Sequence, residues 1–267
     1  MAGAPSTTLG GLCRRVVQRV IRESRMRKER RSKLHTVDGS LEFVVVVTYG
    51  RTGSTVLQAA LNTDPHTLVR GENHNVSLGL FRSWRSATRT YVEHGDASAT
   101  DSSTAWFGAH LIDPERFLAE VRSTFVSSVL AAPQGIKLVG FKEIRNTPEY
   151  FVDLDELVEY VVFLDQLLPG VRFIVNSRDV APTLQSGWWA GTENAEAKLQ
   201  TSMEWMEQLP VRIEERLGPQ RVHAMRYEHW SQNPEALAGM LMFLGLEADL
   251  EALERVSSTP LQHMSSK

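Results

Sequence analysis

The sequence LEFVVVVTYGRTGSTVLQAAL at positions 41–61 predicts a strand, a turn and a helix in succession. Its first part is an unbroken apolar run of β-branched character, which is typical of a strand buried on both faces. The turn carries Gly50 and Gly53, and apolar residues at helical spacing follow it. Backbone N–H groups at such a turn point toward one spot, and the helix dipole favours negative charge there. The sequence therefore predicts an anion-binding turn.

Four more runs of strand length follow, and helical patterns separate most of them. The predicted strands cover 67–70, 136–141, 171–177 and 220–226, and the predicted helices cover 78–84, 114–129, 154–168, 196–217 and 234–244, with a further helix predicted after Pro182. Strands that alternate with helices predict an α/β fold with a parallel sheet covered on both faces. Asp113 as the cap and Pro114 at the first position predict where the helix at 114–129 begins. Gly, Ser, Thr and Asp are frequent at 93–104, which predicts a loop or a mobile lid.

The composition is that of an ordinary globular protein. Of the 267 residues, 42% are hydrophobic and 23% are charged, and a chain of this length can bury a substantial core. The single cysteine, Cys13, excludes an intrachain disulfide and a cysteine-based metal cluster, and it fits a reducing compartment. No apolar run approaches the roughly 20 residues that a membrane span needs. We expect residues 39–267 to form one domain of a cytoplasmic protein.

Residues 1–38 form a predicted basic arm. Ten of the 29 basic residues lie between Arg14 and Lys33 beside two acidic ones, which leaves 19 basic and 30 acidic residues for the rest of the chain. Apolar residues at 12–21 have helical spacing with arginines between them, so 12–33 could lie on an anionic membrane surface. The alternatives are a segment that binds a partner, an organelle transit peptide, and a solvated or frayed helix. Nucleic acid is not an expected partner, because the acidic remainder would be repelled by phosphates.

The turn differs from the phosphate loop of ATP-binding proteins. Aligning Gly53 with the last glycine of G-x-x-x-x-G-K-[ST] places Thr48 at the first glycine and Ser54 at the lysine. Arg51 could supply the missing positive charge, and the hydroxyls of Ser54 and Thr55 could bind a phosphate directly. A kinase is therefore disfavoured. A plain strand-to-helix connection without a ligand is the alternative to an anion site.

A second anion site is predicted after the strand at 171–177. Arg178 directly follows that strand, and Ser186 lies eight residues later, about two turns along the next predicted helix. Ligands of open α/β sheets bind beyond the carboxyl ends of the strands. One site in the turn and a second site here predict a ligand that is phosphorylated at two places.

In these motifs the sequence resembles the sulfotransferases that use 3′-phosphoadenosine 5′-phosphosulfate (PAPS). The turn resembles the loop with which that family binds the 5′-phosphosulfate, and Arg178 with Ser186 resembles its 3′-phosphate motif at matching spacing. Residues 221–246 resemble the later strand, loop and helix, in which the tyrosine matching Tyr227 lies near the nucleotide. The nucleotide-binding residues implied by the resemblance are Arg51, Thr52, Gly53, Ser54, Thr55, Arg178, Ser186 and Tyr227.

The resemblance covers about 41–246 and implies a P-loop-NTPase-like fold, a three-layer α/β sandwich around a central parallel sheet. It also implies transfer of the sulfuryl group of PAPS to an acceptor hydroxyl or amine, and we expect a hydroxyl on a carbohydrate, glycolipid or small metabolite. No metal is expected, because the leaving group carries less charge than in phosphoryl transfer and the sequence offers no compact carboxylate cluster. Many members close on the nucleotide with a glycine-rich basic loop near the C-terminus. The segment 260–267 has no such glycines, so either 265–267 substitutes for that loop or this wall of the site is missing.

Sulfuryl transfer needs a general base that takes the acceptor proton. Glu72 follows the second predicted strand and resembles the catalytic glutamate of the carbohydrate-type enzymes, and His74 is the second candidate. Arg51 would offset charge on the leaving phosphate oxygen. Glu143 is a third candidate because it also ends a strand, and Lys142 could touch the transferring group, but an ion pair between Lys142 and Glu143 is the alternative for both residues.

Two further features bear on the acceptor and on other functions. Four tryptophans could line an acceptor site, although core packing is the more common role of such residues: Trp84, Trp106, Trp188 and Trp189. The polar segment 93–104 could cover the acceptor. Besides a P-loop kinase of a small molecule, the remaining alternative is a non-catalytic module that binds a nucleotide or a membrane through the basic arm.

Overall fold

The structure is a computed structural model that describes residues 41–258. Two predictions lie outside these residues, namely the basic arm at 1–38 and the closing role of 260–267. Along 41–258, no helix is both long enough and apolar enough to cross a bilayer. The described region begins just before the central strand of the sheet.

Five parallel strands form one sheet in the order β2-β3-β1-β4-β5. The strands are β1 (Glu42–Val47), β2 (Thr67–Arg70), β3 (Leu138–Glu143), β4 (Arg172–Ser177) and β5 (Val222–Arg226). The predicted parallel sheet is therefore confirmed. Because β1 lies between β3 and β4, it is enclosed on both sides, which explains why its sequence is an unbroken apolar run.

Helices cover both faces of the sheet. They are α1 (Ser54–Leu61), α2 (Val76–His94), α3 (Pro114–Thr124), α4 (Leu154–Leu167), α5 (Val180–Leu184), α6 (Ala195–Leu217), α7 (Tyr227–Trp230), α8 (Pro234–Phe243) and α9 (Leu250–Ser258). Successive residues of β1 point to opposite faces. Val45 belongs to a core cluster with Leu164 of α4, whereas Val44 belongs to a second cluster with Leu57 of α1 and Leu237 of α8. Helix, sheet and helix thus make three layers.

The predicted start of α3 is confirmed, and the last part of the predicted helix is π-helical rather than α-helical. The carboxylate of Asp113 accepts a hydrogen bond from the backbone N–H of Arg116 at 2.9 Å, and Pro114 is the first helical residue. The regular helix ends at Thr124, and a π-helical turn, Phe125–Leu130, continues the predicted helix to its expected end. Phe125 is buried, so this turn anchors the end of α3 in the core.

The polar segment 93–104 is more ordered than a plain loop. Helix α2 continues to His94, well beyond the predicted end at residue 84. A short 3-10 helix, Ala97–Thr100, follows, and the Asp96 carboxylate accepts from the Ser98 N–H at 2.9 Å. Hydrogen bonds from the side chain and backbone of Ser98 lower the pKa of Asp96. The polar side chains that predicted a loop here cap these short helical turns instead.

Candidate active site

The turn after β1 is fixed to β4 by buried hydroxyl and amide groups. The Thr48 hydroxyl donates to the carbonyl of Asn176 at 2.7 Å, and the Asn176 side-chain amide donates to the carbonyl of Thr52 at 3.0 Å. The Thr52 hydroxyl donates to the carbonyl of Tyr49 at 3.1 Å and is fully buried. The side chain of Thr52 therefore holds the turn together, and only its backbone could contribute to binding an anion.

Gly53 brings the turn against the β5 side of the sheet. Its φ of 77° is in the left-handed region, and a Cβ there would lie 2.6 Å from the ring of Tyr227 and 2.8 Å from the ring of Trp230. Only glycine satisfies both demands. Helix α1 begins at the next residue, Ser54, whose side chain is buried. The first N–H groups of α1 thus lie beside the ring of Tyr227.

The two predicted anion sites meet in the structure. Arg51 donates from Nε to the hydroxyl of Ser186 at 2.9 Å, and Arg178 donates from Nη1 to the carbonyl of Arg51 at 2.8 Å. The Arg178 guanidinium lies 4.1 Å from the centroid of the Tyr227 ring, at a cation–π distance. Ser186 does not lie on a helix as predicted, because α5 is only five residues long and Ser186 precedes a separate 3-10 helix, Gly187–Gly191.

Tyr49 fixes the backbone of Arg178. The Tyr49 hydroxyl donates to the carbonyl of Arg178 and accepts from the N–H of the same residue at 3.0 Å. Burial raises the pKa of the Tyr49 hydroxyl, so it stays protonated and keeps its donor role. Tyr49 lies in the predicted anion-binding turn, but the sequence predicted no role for its side chain. Its contact with Arg178 joins residues 129 positions apart and cannot be predicted from local spacing.

A positively charged cavity of about 220 Å³ lies where these loops meet. It is lined by Arg51, Gly53, Ser54, Thr55, Val56, Glu72, Lys142, Ile144, Arg178, Ser186, Trp188 and Tyr227. Three cations and one carboxylate are among these residues. The Nε of Arg178 is buried and has no hydrogen-bond partner in the part of the chain that the structure describes. A buried guanidinium nitrogen without a partner is costly, and an anionic ligand in the cavity would satisfy it.

Glu72 lies at the edge of this cavity and is held by two cations. Its Oε1 lies 2.7 Å from Nζ of Lys142, and its Oε2 lies 3.4 Å from Nη1 of Arg145. Lys142 is buried, and it pairs with Glu72 rather than with its neighbour Glu143. About a third of the Glu72 side chain, 32%, remains exposed, so a ligand can still reach the carboxylate.

Glu143 organises the turn that carries Glu72. Its Oε2 accepts from the backbone N–H of Asn75 at 3.0 Å and of Asn73 at 3.4 Å. Its Oε1 accepts from the backbone N–H of Ile144 at 3.0 Å and from Nη1 of Arg145 at 2.9 Å. The Glu143 side chain is 2% exposed, so it is out of reach as a base and acts on the shape of the neighbouring turn.

His74 stands apart from the cavity. It is exposed, has a left-handed φ of 59°, and is absent from the walls of the cavity that Glu72 reaches. Of the ten predicted site residues, only His74 and Thr52 do not line the cavity. Position thus separates Glu72 from His74, two residues that sequence alone left as competing candidates.

Comparison with known proteins identifies the family of this chain. A family model described as the sulfotransferase family matches residues 44–250. The chain belongs to the sulfotransferase family. It is therefore an enzyme that transfers a sulfuryl group, as the sequence motifs predicted. No curated protein sequence matches the chain at a significant level.

One solved structure supports the fold of this sulfotransferase, and a second is similar to it at a lower score. The sulfotransferase domain of the olefin synthase from Synechococcus PCC 7002 is 16% identical, with a TM-score of 0.50, covering 85% of this chain and 82% of that one. The sulfotransferase domain from the curacin biosynthetic pathway is 15% identical, with a TM-score of 0.48, covering 85% and 81%. The predicted P-loop-like α/β fold is confirmed, while the acceptor is not specified by these relatives.

Proposed function

We propose that the sulfuryl donor is PAPS and that the positively charged cavity between the loops after β1 and β4 binds it. The observation that carries this proposal is the junction of Arg51, Ser186 and Arg178, with a buried Nε of Arg178 that has no partner among the described residues. A donor with anionic groups at two positions needs cations from two loops, and this cavity has them.

The residues of the cavity divide the donor between them. The first N–H groups of α1 and the hydroxyls of Ser54 and Thr55 hold the 5′-phosphosulfate, with the positive end of the helix dipole behind them. Arg178 and Ser186 hold the 3′-phosphate. The ring of Tyr227 packs against the guanidinium of Arg178 and contributes a flat face for the nucleotide.

Glu72 is the proposed general base, and Arg51 with Lys142 stabilises the developing charge. The acceptor hydroxyl oxygen forms a bond to sulfur while the bond between sulfur and the 5′-phosphate oxygen breaks. The electron pair of that bond stays on the phosphate oxygen, where the two cations offset the charge. The acceptor proton passes to Glu72, which lies beside Lys142 at the cavity edge. The products are a sulfate ester and 3′-phosphoadenosine 5′-phosphate.

The decisive experiment measures transfer of ³⁵S from PAPS to a panel of alcohols. Arg51→Ala and Glu72→Gln are expected to lower kcat by at least a hundredfold, a typical loss when a charge-stabilising or acid–base group is removed. Arg116→Ala and Glu120→Gln are matched controls, because this exposed pair lies on α3 away from the cavity. Undiminished transfer by both Arg51→Ala and Glu72→Gln would refute the assignment of these residues.

We also propose that residues 1–38 are an arm separate from the catalytic domain, and that 12–33 contacts an anionic membrane surface of the cytoplasm. The support is the excess of basic residues between apolar residues at helical spacing. Co-sedimentation with phosphatidylserine vesicles should recover the full chain and not a chain lacking residues 1–35. Equal recovery of the two chains, or equal recovery on neutral vesicles, would contradict this role.

A further inference from the structure

A second cavity, of about 340 Å³, adjoins the donor cavity. The two cavities share three lining residues, Glu72, Ile144 and Trp188. Among the residues that the structure describes, Glu72 is the one acidic side chain that lines both. A hydroxyl group of a ligand in the second cavity would therefore lie beside Glu72, the proposed base, at the boundary with the donor cavity. The volume falls within the range of about 300–1,000 Å³ that is usual for small-molecule sites.

Two aromatic side chains offer flat faces in this cavity. Trp188 is 53% exposed and Tyr150 is 36% exposed, although both residues are large and apolar in their rings. A third aromatic residue, Trp189, is buried and donates from its indole N–H to the carbonyl of Gly50 at 3.1 Å. This bond fixes the Trp189 ring, whose centroid lies 6.3 Å from that of Trp188. Exposed aromatic faces beside a reactive group recognise ring-shaped ligands by stacking.

The charges around the second cavity are already balanced. Glu149 accepts from Nζ of Lys198 at 2.9 Å, and Arg145 is paired with both Glu143 and Glu72. The donor cavity, by contrast, has three cations and one carboxylate. Two carboxylates, Glu72 and Glu149, and one cation, Arg145, line the second cavity, so an anionic acceptor would find no surplus of positive charge there.

We propose that this second cavity is the acceptor site, that it selects neutral alcohols carrying a ring beside the reacting hydroxyl, and that Tyr150 and Trp188 are its recognition residues. This inference rests on the proposed function, since it requires a donor in the adjoining cavity. Tyr150 lines only the second cavity, whereas Trp188 forms the wall between the two and lies 5.9 Å from the guanidinium of Arg51. Tyr150 is therefore the residue that reports on the acceptor alone.

The test compares acceptor kinetics with donor binding in the full-length protein. Four acceptor classes are supplied with ³⁵S-labelled PAPS: a neutral monosaccharide, a neutral phenol, a straight-chain alkanol and a sugar acid. We expect at least one of the two neutral ring-bearing classes to exceed the alkanol and the sugar acid about tenfold in kcat/KM, and the monosaccharide and phenol arms distinguish the two sources of a ring. Higher kcat/KM for the alkanol or the sugar acid would overturn the inference.

Variants then locate the recognition. Tyr150→Ala should raise KM for the preferred acceptor about tenfold through lost stacking, and its affinity for 3′-phosphoadenosine 5′-phosphate by calorimetry should stay within twofold. Tyr91→Ala is the matched control, since this aromatic residue is 45% exposed and lines neither cavity. If Tyr150→Ala behaves like Tyr91→Ala while the wild type binds the bisphosphate and transfers sulfate, the acceptor site lies elsewhere. A wild type that neither binds the bisphosphate nor transfers sulfate would instead refute the proposed function itself.

Discussion

Replacing the buried Glu143 by alanine should destabilise the protein far more than the same replacement of an exposed glutamate such as Glu149. The Glu143 carboxylate is 2% exposed and lies 2.9 Å from the guanidinium of Arg145. It also accepts hydrogen bonds from backbone N–H groups of Asn75 and Ile144 at 3.0 Å. Removing it takes the nearer carboxylate from Arg145, which is left with Glu72 at 3.4 Å, and deprives the N–H of the buried Asn75 of its acceptor.

The size of the effect follows from these contacts. Removing one partner of a buried ion pair costs about 3–5 kcal/mol when the other charge is left uncompensated, and the remaining contact of Arg145 with Glu72 places this case at the lower end of that range. Asn75 is buried, and its N–H loses its acceptor. A buried unsatisfied donor costs about 1–3 kcal/mol, and we count this cost as part of the ion-pair penalty rather than adding it. We therefore expect Glu143→Ala to lower the free energy of unfolding by about 3 kcal/mol, a large share of the roughly 5–15 kcal/mol of a typical domain.

Urea unfolding followed by circular dichroism measures this difference. Glu149→Ala is the matched control, because Glu149 forms one ion pair with Lys198 and its side chain is 41% exposed. An exposed pair contributes about 0–1 kcal/mol, so the control should remain near the wild type. A loss below about 1 kcal/mol for Glu143→Ala, with an unchanged m-value, would refute the inference that the buried carboxylate holds the 72–75 turn.

Two other perturbations test the fold and its pH dependence. Gly140→Ala should cost about 3 kcal/mol or more, because a Cβ there would lie 1.7 Å from the carbonyl oxygen of Val44. A Cβ at Gly239 on α8 would meet open space, so Gly239→Ala should be neutral or slightly stabilising. Urea midpoints compare the two variants. Burial lowers the pKa of His223 below its ordinary value near 6.5, so the unfolded chain binds more protons as the pH falls below that value and the free energy of unfolding decreases. His223→Gln should therefore flatten the change in urea midpoint between pH 7.5 and 5.5, and an unaltered slope would contradict this.

Much of the scaffold could be predicted from local pattern. The apolar run of β1 and the alternation of strands and helices are consequences of burial, which acts on each segment separately. The turn around Gly53 was predictable for the same reason, because its glycine and the start of α1 are adjacent in sequence. Ser186 was misplaced on a helix, since its spacing from Arg178 fitted two helical turns while the structure ends α5 at Leu184.

The pairing of charges at the end of β3 could not be predicted correctly from neighbouring positions. Lys142 and Glu143 suggested an ion pair with each other, but successive strand residues point to opposite faces of the sheet. Lys142 therefore pairs with Glu72, and Glu143 pairs with Arg145. The contacts that join Arg51 to Ser186 and Tyr49 to Arg178 span more than a hundred residues, so only the folded sheet brings them together.

The nature of the donor is the central claim, and calorimetry with 3′-phosphoadenosine 5′-phosphate tests it most directly. The wild type should bind this bisphosphate at least tenfold more tightly than 5′-AMP or ATP. Arg178→Ala should lose about 10- to 100-fold of that affinity, because hydrogen bonds to charged groups contribute about 1.5–3 kcal/mol. Arg212→Ala, which removes a partly exposed arginine of α6 that pairs with Asp155 and does not line the donor cavity, should bind like the wild type. Equal affinity for ATP and the bisphosphate, unaffected by Arg178→Ala, would contradict a PAPS-dependent sulfotransferase.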